Sequence, residues 1–149
     1  MKLKVAMAVF CVFSIWCYSE ARGENWMYFS TSNNADHYYD KASLQSLSAK
    51  TVRVSEKAVY TEDGKNWYVN KLLKIGYSKK NLKRQGYYSL RENISSWEMD
   101  CEQKTRNLLR TTYYNEKGII YDRSYQPGEY KSSIIAGSVM ENLYKIVCK

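Results

Sequence analysis

A single histidine, His37, serves all 149 residues. No site built on two or more imidazoles can form from it, which removes the usual histidine-based zinc sets. The sequence also has no glycine-rich phosphate loop, no zinc-ligand spacing and no RNA-binding strand motif. Nucleic acid is therefore not expected as a partner. No internal repeat, low-complexity tract or linker divides the chain. After its first twenty or so residues, no apolar run approaches the ~20 residues that a membrane-spanning helix needs. A nucleophile elbow is missing as well: Ala136-Gly137-Ser138-Val139 lacks a glycine two residues before the serine, and a helix-capping role accounts for Ser138. His37 lies between Asp36 and Asp40 with no nucleophile beside it, so it reads as a solvated turn residue and not as a general base. Together these absences describe a non-enzyme with no metal and no other cofactor.

The chain opens with the pattern of a leader. Lys2 and Lys4 precede an apolar run from Val5 to Trp16, and Ser19-Glu20-Ala21 puts small residues three and one positions before a cut. Residues 1–21 read as a signal peptide and 22–149 as one exported domain, periplasmic or secreted. A cut after Gly23 is the second register. Lipid anchoring to an outer membrane is disfavoured, because Trp16 and Phe10 occupy the places before Cys17 and Cys11 where that processing wants a small residue. Cleavage removes two lysines and one glutamate, so the formal charge falls by one from +8. It also leaves two cysteines, Cys101 and Cys148. In an oxidising compartment such an even pair reads as a disulfide.

Hydrophobic periodicity sets out the rest. Asn25 to Ser30 and His37 to Asp40 read as short strands, with a polar connection over 40–48 in which Leu44 and Leu47 plug the core edge. From Thr51 to Thr61, Val52, Val54, Ala58 and Tyr60 alternate with Arg53, Ser55 and Lys57, as in a strand with one apolar face. Glu56 shares the apolar parity and needs either an edge position or a cation, since a lone buried carboxylate is expensive. Asp63-Gly64 breaks this strand. A short amphipathic helix is expected near 66–75, ended by Gly76. Strands then follow over 94–103, 106–115 and 119–126, the last two joined through Asn115-Glu116-Lys117-Gly118, a hairpin signal. Ser138 and Glu141 form a capping box for a terminal helix with an apolar stripe of Val139, Leu143, Ile146 and Val147, Met140 lying at its edge. Tyr38, Tyr60 and one of Tyr113 and Tyr114 are expected in the core, and Tyr39, Tyr121 and Tyr125 outside it. The fold class is α+β, an antiparallel sheet with helix cover.

Two groups of charges remain. Glu98 and Asp100, two apart on one strand face, read as cross-strand partners of Arg or Lys. Lys79, Lys80, Lys83 and Arg84, interleaved with Tyr77, Tyr87 and Tyr88, form a basic loop or helical turn closed by Gly86. It is the best candidate for a polyanion or acidic protein ligand; the plainer account of it is a solvated, charged segment.

Several separated features also stand in one order: Trp26; Tyr38-Tyr39-Asp40 with Ser43; Val52-Arg53-Val54 with Lys57 and Tyr60; Trp97-Glu98-Met99-Asp100-Cys101; Tyr113-Tyr114 before Gly118; and Gly137-Ser138, Leu143 and Val147-Cys148-Lys149. Over nearly the whole mature chain this resembles the bacterial surface-adhesin protein E family. The resemblance implies an about six-stranded antiparallel sheet with a C-terminal helix packed on it and tethered by a disulfide. It also implies a binding or adhesion role in the bacterial envelope, in a family whose named adhesin is an outer-membrane lipoprotein that binds host matrix proteins and plasminogen. Two functions follow as expectations. The first is an exported, non-enzymatic binding protein with a protein or polyanion ligand. The second is a periplasmic structural or assembly protein acting through sheet-edge or homodimer contacts.

Overall fold

The computed structural model describes residues 24–149. The leader expected over 1–21, both cut registers, Cys11 and Cys17 lie outside the described residues. The elements are β1 (Trp26–Thr31), β2 (Ala35–Ser46), β3 (Thr51–Tyr60), α1 (Glu62–Lys74), α2 (Lys79–Gln85), β4 (Leu90–Asp100), β5 (Thr105–Asn115), β6 (Gly118–Ser124), β7 (Lys131–Ser133) and α3 (Val139–Val147). Strands β1 to β6 lie side by side in chain order, every pair antiparallel. The three-residue β7 pairs with the first part of β5, on the side that β6 occupies further along. The expected α+β sheet with a C-terminal helix is therefore present, with two more helices inserted between β3 and β4.

Both helical packages pack on one face of the sheet, at opposite ends. Val54 and Met99 from the sheet meet Met140, Leu143 and Val147 of α3, and Phe29, Tyr39, Val52 and Trp97 close around them. Met140 is buried within this stripe and not at its edge, because α3 lays residues 140, 143 and 147 against the strands. Ser138 caps the helix by accepting from the Glu141 N–H, and the Glu141 carboxylate reaches back to the Gly137 N–H. Cys148 is bonded to Cys101, with Cα atoms 5.4 Å apart, and the Tyr144 hydroxyl donates to the Cys101 carbonyl. The far end of the face carries a second core of Val69 and Leu72 from α1, Leu82 from α2 and Tyr87, with Ile120 of β6 packed against it.

Local structure departs from the sequence reading in places with identifiable causes. Residues 40–46 continue β2 past an irregularity between Asp40 and Gln45, and Leu44 and Leu47 are exposed instead of plugging a core. The inserted helix begins at Glu62, four residues before its expected start. Thr61 caps it through the Gly64 N–H, so Gly64 sits in the first turn and does not end anything. His37 is a β2 residue with a mostly buried ring, not a solvated turn residue. The parity of the paired tyrosines is inverted: Tyr39 packs against the α3 core, while Tyr38 stands on the opposite face beside Lys57. Register explains it, because Tyr39 pairs with the inward Glu56 and Tyr38 with the outward Lys57. The carboxylate Glu98 does pair across the ladder, with Arg53 at 3.0 Å, whereas Asp100 accepts from the backbone of the following turn.

Candidate functional site

Of the two forms expected for the basic residues named above, loop or helical turn, the structure has the helix. Ser78 caps α2 through the Asn81 N–H, and Gly86, at φ 87°, ends it in the left-handed region that glycine adopts without strain. Leu82 is the buried residue of α2, so Lys79, Lys80, Lys83 and Arg84 project into solvent. Their placement is electrostatically adverse. Lys79 and Lys83, and Lys80 and Arg84, are like charges four apart, and Lys79 and Lys80 crowd the positive end of the helix dipole with no acid in the first turn. Residues 62–85 hold seven of the 23 Lys and Arg residues against Glu62 and Asp63. Lys65 reaches Glu62. Among the described residues, Lys71, Lys74 and the four α2 cations have no carboxylate at ion-pair distance, in contrast to the paired Arg53, Arg110 and Arg123. Exposed Trp67, Ile75, Tyr77 and Tyr88 lie among these cations.

A second feature lies between the two helical packages. The middle of the sheet face is left open as a cavity of about 460 Å³. Two hydrogen-bonded chains run across its floor. In one, the Tyr60 hydroxyl donates to Asn93 Oδ1 at 2.9 Å, Asn93 Nδ2 donates to Ser95 Oγ at 2.9 Å, and Ser95 Oγ lies 3.2 Å from Thr111 Oγ1. In the other, the Glu56 carboxylate bonds His37 Nδ1 and Trp97 Nε1, each at 2.8 Å, and His37 Nε2 lies 3.2 Å from Ser32 Oγ. Asn93, Ser95, Thr111 and Glu56 are all buried. The inward carboxylate thus finds its partners in an imidazole and an indole on neighbouring strands.

Aromatic rings and two cations complete the cavity. Tyr68 of α1 packs near Tyr60, Tyr113 and Tyr87, with its centroid 5.1 Å from that of Tyr113. Burial is the main cause that pushes the Tyr60 and Tyr68 phenols far above the usual tyrosine range, and neighbouring Tyr113 adds to it. The Tyr87 phenol, also raised mainly by burial, is pushed up to about 12. Arg106 lies over Trp97 at 4.7 Å, its Nε donating to Ser132 Oγ. Burial lowers its basicity and the nearby Glu56 raises it in part. Trp67 and Lys71 of α1 stand at the rim and connect the cavity to the basic helical surface.

The sequence profile of the surface-adhesin protein E family matches residues 26–149. The chain belongs to this family. A search of curated proteins gives no match. For a member of the surface-adhesin protein E family, the disulfide-tied terminal helix is a matter of architecture, and it stands apart from the basic helix and the cavity. The structure leaves Lys79, Lys80, Lys83 and Arg84 exposed together on α2. Sequence reasoning did not find the cavity. The available signal was the inward parity of Glu56, Asn93, Ser95 and Thr111, four polar residues on the face that also carries Val54, Ala58, Trp97 and Met99.

Proposed function

We propose that this surface-adhesin protein E family member is an exported, non-enzymatic, adhesin-type binding protein that meets an acidic partner with its α1–α2 face. The observation that carries this reading is the set of six solvent-facing cations that, among the described residues, have no carboxylate partner, gathered around exposed aromatic rings. Clustered like charges oppose helix formation by a few tenths of a kcal/mol per pair, and an incoming polyanion or acidic protein surface reverses the sign of that contribution. The aromatic rings add contact area at low entropic cost. The leader pattern, read with cleavage after Ala21, and the family support export.

The test measures binding of the secreted protein to dextran sulfate and to an acidic protein domain over a range of salt. Replacing Lys79, Lys80, Lys83 and Arg84 with Glu is expected to weaken polyanion binding by at least tenfold and to remove most of its salt dependence. Binding that ignores both salt and these substitutions overturns the reading. A preference for one acidic partner over the other identifies the ligand class.

A second reading has its own observation. At one edge of the sheet β1 exposes Met27 and Tyr28, and an edge strand offers unpaired backbone groups to a partner. Assembly through that edge predicts a mass that rises with concentration in light scattering and falls to that of a monomer in Met27→Lys. A strict monomer at high concentration rules it out.

A further inference from the structure

We propose that the cavity on the sheet face is a binding site for a single carboxylate-bearing pyranose ring, such as a uronic acid residue at the end of a glycan. This goes beyond the basic face of α2, whose four cations do not line the cavity.

The volume comes first. At about 460 Å³ the cavity falls within the range of about 300–1,000 Å³ typical of small-molecule sites, and it is too confined for a folded partner. Its floor then selects the chemistry. Asn93 spends one N–H on Ser95, so neither hydroxyl proton of Ser95 or Thr111 is used by that bond. The contact between Ser95 and Thr111 takes one of the two protons. Among the described residues the other proton has no side-chain acceptor, and it is held at the floor of a buried polar strip. An apolar ligand would leave this donor stranded against hydrocarbon, which costs as much as any buried unpaired polar group. A ring of hydroxyl groups, each both donor and acceptor, satisfies it in either orientation of the chain.

The walls select a ring. Indole and phenol faces offer flat apolar surface to the C–H face of a pyranose while the hydroxyl edge meets the floor. Trp67 is placed for this because it is 48 % exposed on α1 and lines the cavity. Charge selects the substituent. Glu56 is the carboxylate of the lining and is occupied by His37 and Trp97. Lys71 and Arg106 are the two cations of the lining, and neither makes an ion pair among the described residues. An incoming carboxylate finds a guanidinium placed over the Trp97 ring, with its Nε already bound to Ser132 Oγ.

The experiment is titration of the secreted, disulfide-bonded protein with sodium glucuronate, glucose and sodium acetate at ~0.15 M salt, where surface charges beyond about 8 Å are screened. The readouts are tryptophan fluorescence and calorimetry. Saturable binding of glucuronate is expected, weakened about tenfold or more in Thr111→Val, which removes a hydroxyl while keeping the shape. A similar loss is expected in Trp67→Ala, at an exposed position where truncation is expected to cost the fold little. The four α2 charge reversals are expected to leave glucuronate binding within about threefold. Loss of dextran sulfate binding in that variant, with glucuronate binding retained, separates the cavity from the basic face. The proposal is overturned by an absence of saturation with glucuronate, by equal binding of acetate or glucose, or by indifference to both Thr111→Val and Trp67→Ala. If Thr111→Val fails to fold, Trp67→Ala decides alone.

Discussion

Gly64 shows how a residue can be read correctly for its chemistry and wrongly for its place. Glycine after aspartate is an ordinary turn signal, yet here it is buried in the first turn of α1, and a methyl group at its Cα would overlap the Asn34 carbonyl oxygen. The close approach of two backbones requires it, and no local pattern reports that. Gly64→Ala is expected to destabilise the fold by about 1–3 kcal/mol, measured by urea unfolding, with α1 losing its contact to the turn before β2. The tyrosines give a second expectation. Tyr60, Tyr68 and Tyr87 have phenols raised by burial, so folding favours their neutral forms. The stability they contribute is complete below the ordinary tyrosine value of about 10 and is lost as pH rises from there through the folded values. Unfolding curves collected from pH 8 to above 10 should show falling stability on the alkaline side, with a shallower fall in Tyr68→Phe. An unchanged slope in that variant would show that Tyr68 does not carry the effect.

Among the elements, α3 was the most legible because every level agreed. The cap, the apolar stripe and the closing cysteine all lie within eleven residues, and each is a local signal. The central strands were legible through their alternation, and the β5–β6 turn through Asn115 and Gly118, which has φ 122°. The cavity was not legible for a physical reason. Inward polar residues on β3, β4 and β5 look like isolated faults until it is known that the helices cover only the two ends of the face. Likewise Tyr38 and Tyr39 could not be assigned to faces without the register of β2 against β3. The element-scale prediction concerns the staple. Cys101 and Cys148 are 47 residues apart, and the chain-entropy account gives roughly 4 kcal/mol for a loop of that size. Cys148→Ser and Cys101→Ser should therefore each cost about 2–5 kcal/mol and match one another. Ser138→Ala, which removes only the cap, should cost about 1 kcal/mol. Unequal cysteine variants would mean that one thiol has a role outside this bond.

For the whole molecule, the two helical packages differ in how they are held, and that difference bears on binding. The α3 package is joined to the end of β4 by a covalent bond and a tyrosine hydrogen bond, and its core includes fully buried Val54, Met99 and Leu143. The α1–α2 package has no such bond, and α2 contributes a single buried residue, Leu82, while carrying four like charges. Its local stability should lie well below that of the central strands, as expected of elements with few buried contacts. Native-state hydrogen exchange is expected to show α2 amides opening at a lower free energy than those of β4 and β5, with α3 closer to the strands. Raising salt should slow α2 exchange selectively, because screening relieves the repulsion among Lys79, Lys80, Lys83 and Arg84. Dextran sulfate should slow it further at concentrations that leave α3 unaffected, since a ligand that binds only the folded helix stabilises it by mass action. If dextran sulfate instead protects α3 or β1 and leaves α2 unchanged, the acidic partner sits elsewhere on the molecule, and the exposed cations of α2 are only a solvated surface.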